Sequence, residues 1–515
     1  MQHNRPRGAH DAPDEDERPD EQKRGFVTGK RRASQSRGGR TAVIIVVCVL
    51  VAAAIGTGTF LILRNSSSKN EAGSAAATTT ATTARPTVPD PQMAAPKLVL
   101  APLANSSKAP TAAGVAKALA PILADPTMAT YAGEVVDPAT GTVLWKKDPG
   151  SAQVPASSAK LLTGAALLTS LKDPNKRLVT KVEKGDQAGD IFFVGGGDVT
   201  LSARQIGTAT VNEGAPTVAD LAAQVKASGV QVKRIVLDTS YWTGAQLATG
   251  WQTSDIQGTP QDRHGYITQM QALMVDGDRT NPAEENSPRT GTPAMTAGKA
   301  LARALGNANL PIITGTAPAS AKVLAEVKSQ PLSILLGQAL LNSDNILAES
   351  LAREVAGAQG APRSFDGASA ATMLALQDMK LDTINVNLKD GSGMSVNDTV
   401  TPDIEAQILS QAVTGKIPAL RYLLTGLPVA GVSGTLDSDP TGEDRFNDAR
   451  SKAGAGWVRA KTGSLGSTYV LSGYTPDLDG RMLVFSLFNN ASISGKTRHT
   501  QDAFATVLRQ CGCQG

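Results

Sequence analysis

The sequence predicts a mixed α/β (α+β) chain, with an antiparallel sheet flanked by helices and a smaller inserted domain. Three observations predict it. First, "ATYAGEVVDPATGTVLWKK", Ala129–Lys147, reads as a strand, a turn at Pro138–Gly141 and a second strand, followed by the uncharged run "LLTGAALLTSL" after Lys160. Second, Val458–Thr462, Ser467–Tyr474 and Arg481–Asn489 read as consecutive strands, the last two joined by the turn "TPDLDG". Third, residues 173–325 carry a pattern of their own. There "GDIFFVGGGDVTL" reads as strand and turn, "TVADLAAQVKASG" as helix and "VKRIVLDTSYW" as strand.

A length of 515 residues suggests roughly three units. The net charge is +4, and the basic excess gathers near the N-terminus, so the chain has no polyelectrolyte character. Aromatic residues make up 4 %, too few for a base-stacking surface, and no nucleic-acid partner is expected. Cys48, Cys511 and Cys513 do not make a disulfide framework. An oxidising compartment permits a Cys511–Cys513 bond, although so short a loop is expected to strain it.

Three segments precede the globular part. Residues 1–40 are rich in Arg, Asp and Glu and read as a disordered tail. Residues 41–63, "TAVIIVVCVLVAAAIGTGTFLIL", hold no charge. A helix of that length reaches about 34 Å, enough to cross a hydrocarbon core of about 30 Å. A cleaved signal peptide is the rival reading, but its apolar region is usually only about 7–15 residues long. Lys30, Arg31, Arg32, Arg37 and Arg40 precede the run, which puts the N-terminus in the cytoplasm and the remainder outside it. Residues 64–110 are mostly Ser, Ala, Thr and Pro and form a linker. The expected localisation is the cell membrane, held by one N-terminal helix.

The chemistry gathers in three places. Ser157 and Lys160 stand three residues apart at the head of the apolar run, and i and i+3 share a helix face. A capping serine is the plain alternative, and Ser66 and Lys69 repeat the spacing in the linker to no effect. The difference lies in the helix, which is apolar on nearly every side and so expected to be central. A lysine there is desolvated, which favours its neutral form and lets it take a serine's proton. Ser343-Asp344-Asn345 falls between helical patterns at Leu332–Leu341 and Ile346–Val355. Ser68 and Ser395 open the same S-x-N pattern, and Ser395, behind the glycine loop "DGSGM", is a second candidate for the same cleft. Lys461-Thr462-Gly463 occurs once, on a predicted strand. Lysine and hydroxyl there suit a carboxylate, and Gly463 is expected to leave room for a ligand along the backbone.

Other readings fit less well. His264 and His499 are the histidines open to a Ser-His-Asp hydrolase, and no G-x-S-x-G is present. His499 falls in a C-terminal helical pattern, where a surface position is expected. No H-E-x-x-H is present, and "NASISGKT" lacks the first glycine of a phosphate loop. "GGGD" at Gly195 reads as a turn.

Taken in order, Ser157/Lys160, Ser343/Asn345 and Lys461/Thr462 form the trio of serine β-lactamases and penicillin-binding proteins. With "GGGDVTLS", "DGSGMSVNDTVTP" and "GVSGTLDSD" between them, the chain over about 111–510 resembles the D-alanyl-D-alanine carboxypeptidase/endopeptidase family, the low-molecular-mass class C penicillin-binding proteins. The resemblance implies a penicillin-binding/serine β-lactamase-like transpeptidase fold. It divides the chain into a catalytic domain, 111–172 plus 326–515, and an inserted domain, 173–325. It implies Ser157 as nucleophile, Lys160 as its base, Ser343 as proton relay, and Lys461 with Thr462 on the substrate's carboxylate. Asn345 would bond the substrate amide, and the N–H groups of Ser157 and Ser464 would form an oxyanion hole. Lys461 would also help to keep Lys160 neutral. Peptidoglycan stem peptides and β-lactams are the implied partners, with no cofactor or metal. A serine β-lactamase, and a non-catalytic wall-binding protein on the same fold, are the alternatives.

Overall fold

Turns of a few residues after Asp137, Leu465 and Pro476 oblige the strands they join to run antiparallel. The computed structural model describes residues 108–513, apart from 206, 260–262, 438–443 and 492. Its strands are β1 (Thr130–Asp137), β2 (Thr142–Lys147), β3 (Val179–Lys184), β4 (Asp190–Val194), β5 (Arg234–Asp238), β6 (Ile312–Thr314), β7 (Val323–Lys328), β8 (Arg459–Leu465), β9 (Thr468–Pro476) and β10 (Met482–Asn490). The first sheet has the order β2-β1-β10-β9-β8, antiparallel throughout. The second has the order β6-β5-β4-β3-β7. Its β4–β5 and β5–β6 pairs are parallel, so each needs a crossover.

Helices cover the first sheet on both faces. In chain order the main ones are α1 (Ala112–Leu123), α2 (Lys160–Ser170), α3 (Val218–Ala227), α4 (Pro293–Leu305), α5 (Leu332–Leu341), α6 (Asn345–Ala358), α7 (Phe365–Asp378), α8 (Pro402–Thr414) and α9 (Gly495–Arg509). Helices α3 and α4 are the two crossovers of the second sheet. Successive side chains of β10 alternate between two cores, as a pleated strand requires. Leu483, Phe485 and Leu487 pack with Val115 and Leu119 of α1 and Phe504 and Leu508 of α9. Val484 and Phe488 pack on the opposite side with residues of α2, α5, α6 and α8. Burial on both faces explains why "MLVFSLFN" is a continuous apolar run rather than an alternating one. Helix α2 lies in the larger core, with every residue from Lys160 to Leu168 buried.

Several expectations move by a residue or more. The strand expected to end at Thr462 runs on through Gly463 and Ser464 to Leu465, because each pairs with β9. Helix α6 is longer than Ile346–Val355: capped by Asp344 it begins one residue earlier, at Asn345, and it runs on to Ala358. The expected border at 325 falls inside β7, which pairs with β3 and so belongs to the second sheet. Trp242, Trp251, Ile267 and Met270, from the inserted stretch, pack into the core of α2 and α6. Cys511 and Cys513 are bonded, with Cα atoms 4.9 Å apart. Thr111 N–H donates to Cys513 O at 2.8 Å, tying the start of α1 to the chain's end. The expected tail 1–40, the span 41–63 and the linker as far as residue 107 lie outside the described residues. Among the described residues no helix is long and apolar enough to cross a membrane.

Candidate active site

Ser157 is not a cap. It sits in a single 3₁₀ turn, Ala156–Ala159, that runs straight into α2, and no side-chain cap bond forms there. Its hydroxyl instead accepts a hydrogen bond from Lys160 Nζ at 2.9 Å. The turn is held by Ser158, whose Oγ donates to Pro155 O at 2.8 Å.

Lys160 is 1 % exposed. Its Nζ also donates to Asn345 Oδ1 at 2.7 Å and to Ser392 O at 2.7 Å. All three of an ammonium's protons thus have acceptors. Burial pushes Lys160 down to about 8, while Asp390, Asp344, Glu349 and Glu285 pull the other way. Burial, expected from the apolar helix, is the largest cause, and the repulsion between the two lysines falls on Lys461.

The second hydroxyl and amine meet in the same way. Lys461 Nζ donates to Ser343 Oγ at 3.0 Å and to Thr462 O at 2.9 Å. Lys461 is fully buried, and that burial, with repulsion from Lys160, holds it well below the usual lysine range; Glu285 and Glu405 oppose the shift. Ser343 itself is in the left-handed region, φ 58°, and Asp344 rather than Ser343 caps α6, accepting from Leu347 N–H at 3.0 Å. Asn345 faces Lys160 with its oxygen and donates from Nδ2 to Tyr266 O at 3.0 Å. Both ends of the amide expected to bind substrate are thus held by protein.

These groups open into one cleft of ≈ 320 Å³, lined by Ser157, Ser343, Asn345, Thr462 and Ser464 together with Tyr266, Glu285, Met394, Thr435 and Arg498. Thr462 and Thr435 share a 2.6 Å hydroxyl–hydroxyl bond. Glu285 is pushed up to about 8 by burial and by the charge of Asp344.

Gly463 does not do what was expected of it. A Cβ there would lie 2.6 Å from Pro155 O and 3.3 Å from Ala156 Cβ. Its bare Cα lets β8 close against the Ser157 turn, and it makes no part of the cleft lining. Ser395 is corrected too. It is fully buried, and its hydroxyl donates to Thr249 O at 2.7 Å. The loop before it matters instead, through Ser392 O. Asp390 shapes that loop by accepting from the N–H groups of Ser392, Gly393 and Ser395 and from Trp251 Nε1. Gly393, at φ +81°, passes so near Ala156 O that a Cβ would stand 1.8 Å from it. "DGSGM" was the visible signal for the loop; a backbone carbonyl as a partner of Lys160 has no signature in side-chain letters.

The model of the D-Ala-D-Ala carboxypeptidase 3 (S13) family matches residues 115–295 and 284–511. A carboxypeptidase, DacB, of Mycolicibacterium smegmatis is 42 % identical over 434 residues, covering 84 % of this chain and 91 % of that protein. A carboxypeptidase of Mycobacterium tuberculosis is 40 % identical over 432 residues, covering 83 % and 91 %. The crystal structure of penicillin binding protein 4 from Haemophilus influenzae superposes with a TM-score of 0.59 at 20 % identity, covering 77 % of this chain and 97 % of that one, a likeness of fold. A family match that runs from residue 115 to residue 511, joined to relatives similar along most of their length, makes this chain a member of the D-Ala-D-Ala carboxypeptidase 3 (S13) family and a serine-type D-Ala-D-Ala carboxypeptidase.

Proposed function

We propose that the chain trims peptidoglycan stem peptides through an acyl-enzyme on Ser157, and that β-lactams acylate the same hydroxyl. The observation that carries this reading is the meeting of two hydroxyl–amine pairs, Ser157–Lys160 and Ser343–Lys461, in one cleft. Ser157 Oγ attacks the carbonyl carbon of the terminal peptide bond, and the neutral fraction of Lys160 takes its proton. N–H groups of Ser157 and Ser464 receive the oxyanion; such a donor typically contributes about 3–4 kcal/mol. Ser343 passes a proton to the leaving amine of D-alanine, and water then releases the acyl group. Lys461 and Thr462 take the substrate's terminal carboxylate, whose charge favours the protonated form of Lys461. Asn345 reaches the substrate amide once its bond to Tyr266 O or to Lys160 is exchanged.

Fluorescent penicillin labelling and release of D-alanine from a pentapeptide muropeptide test the reading together. Wild type labels and releases D-alanine; Ser157→Ala does neither. Retention of label by Ser157→Ala would overturn it. Digestion of cross-linked muropeptides asks whether the same acyl-enzyme also cuts cross-links.

The same reading covers organisation and place in the cell. Residues 111–172 and the chain after β7 act as the catalytic domain and the stretch between them as its insertion, held outside the cytoplasmic membrane by residues 41–63. The charge-free run behind five basic residues supports this, as does the Cys511–Cys513 bond, which suits an oxidising compartment. Release of the full chain from membranes by alkaline carbonate alone would count against the anchor.

A further inference from the structure

The turn that carries Ser343 and Asn345 is bent where a serine does not ordinarily go, at φ 58°. Something must hold it. Asp344, between the two, is 2 % exposed at its side chain and has two partners of different origin. One oxygen caps α6 through Leu347 N–H. The other accepts from Arg279 Nη2 at 2.8 Å, and the Arg279 side chain is 1 % exposed. Arg279 comes from the inserted stretch, 65 residues away in sequence.

Arg279 is itself fixed. It donates from Nη1 to Asp276 O at 3.2 Å and from Nε to Glu285 O at 3.1 Å. Arg289 braces the same loop, donating to Gly277 O at 2.6 Å and Gly265 O at 3.3 Å. The guanidinium that meets Asp344 is therefore the end of a rigid clamp. Sheet residues would satisfy an insertion's own core; these arginines do more, because they aim a charge at the turn beside Lys160.

We propose that the buried Arg279–Asp344 pair is the positioning device of this site, locking the Ser343–Asn345 turn to the insertion and setting the field in which Lys160 works. The inference rests on the reading of Lys160 as the base for Ser157. Asp344 is one of the carboxylates whose field favours a proton on Lys160, and Arg279, with Arg289 behind it, supplies its counter-charge. Lys160 faces further titratable groups: Asp390 on the glycine loop, Glu349 on α6, Glu285 on the clamp loop and Lys461 on β8. Changing either partner of the pair alone alters that balance, and in opposite directions.

The test is the pH profile of the second-order rate of acylation by fluorescent penicillin, measured on the full chain. Arg279→Gln removes the guanidinium bonded to Asp344 and leaves only Arg289 to balance it, so the rise in rate moves to higher pH. A displacement of one pH unit makes acylation at pH 7 about tenfold slower. Asp344→Asn keeps a capping oxygen for α6 but leaves Arg279 unbalanced, so the rise moves to lower pH. The double variant brings the rise back toward wild type, and Arg279→Lys, which preserves the charge, keeps the wild-type position while lowering the plateau through looser geometry. A purely structural pair would lower the plateau in every variant and leave the position of the rise unmoved, or move both single variants the same way; either result overturns the proposal. Arg279→Lys and the double variant keep the test readable if a single variant folds poorly. If the wild-type rate is flat between pH 7 and 9, the reading of Lys160 as base fails first, and that failure is seen without any change at Arg279.

Discussion

Two hydroxyl–amine pairs face each other across the cleft, and they differ in the charges around them. Ser157–Lys160 and Ser343–Lys461 have nearly equal contacts, 2.9 Å and 3.0 Å, and both lysines are buried. Asp390, Asp344, Glu349 and Glu285 favour a proton on Lys160, which lies near 8, whereas burial and the repulsion of Lys160 hold Lys461 well below the ordinary lysine value against Glu285 and Glu405. Distance alone would make the two pairs interchangeable. The field separates them: the charges that act on Lys160 are carboxylates, whereas Lys461 also faces a cation.

The largest break in this symmetry should come from Lys160→Met. General-base catalysis typically supplies about 10²–10⁴-fold, so acylation by penicillin should fall by about that factor while the protein remains folded. The variant should also lose a stability slope. Lys160 binds its proton more weakly folded than unfolded, so the unfolded chain holds more protons between pH about 8 and the ordinary value of 10.5. Stability therefore rises with pH across that window, by about 3 kcal/mol for this one group, and urea melts at pH 7.5 and 10 should show the rise in wild type and a smaller one in Lys160→Met. An unchanged acylation rate would remove Lys160 from the chemistry.

Gly463→Ala sharpens the comparison at the level of the backbone that brings the pairs together. The added methyl would stand 2.6 Å from Pro155 O, a backbone atom with little room to retreat. Strand β8 must shift, taking Lys461, Thr462 and Ser464 away from Ser157 together. We expect acylation to fall about 10²-fold, with a modest loss in melting temperature. A variant with wild-type rate would show that the closeness of β8 to the serine turn is not needed.

Asp390→Asn should act more gently. The carboxylate gathers three N–H groups and the Trp251 indole, and through that loop it presents Ser392 O to Lys160. An amide cannot accept at both ends, so the loop loosens. Asp390 also favours the charged form of Lys160. The expected outcome is a lower melting temperature with acylation reduced roughly tenfold and its rise moved to lower pH; a rise moved to higher pH would contradict the sign of that interaction.

How much of this was legible in the letters follows from the range of each contact. Ser157 and Lys160 are three residues apart, and helical geometry alone puts them together. The apolar run after them announces burial, and burial is the principal cause of the altered lysine. Helix α5 begins and ends where the pattern predicts, and the strands of the first sheet are found within a few residues. The partners that tune Lys160 lie elsewhere: Asn345 is 185 residues away and Ser392 is 232. No local period carries such distances. The acids that keep Lys160 protonated were equally hidden, because a carboxylate's effect depends on where the fold leaves it. Gly463 was read as space for a ligand, since a glycine in a strand invites that reading; the atom it makes room for belongs to Pro155.

The smallest expected effect concerns the anion's side of the cleft. The sequence offers Thr462 as a carboxylate ligand, and its hydroxyl is shared with Thr435 at 2.6 Å. A hydroxyl can donate once, so one of the two threonines must be the donor, and a carboxylate entering the cleft needs that donor turned toward it. Thr435→Val removes the competing hydroxyl while keeping the branched shape. If Thr435 orients Thr462 toward the ligand, KM for a carboxylate-ended peptide rises about two- to twelvefold, as a neutral hydrogen bond worth about 0.5–1.5 kcal/mol implies. The turnover number should hardly move, because Ser157, Lys160 and Ser343 are untouched. If Thr435 instead holds the Thr462 hydroxyl away from the ligand, KM falls. The two outcomes have opposite signs, so one comparison of wild type and Thr435→Val on the same pentapeptide decides whether this bond prepares the site or has to be broken to fill it.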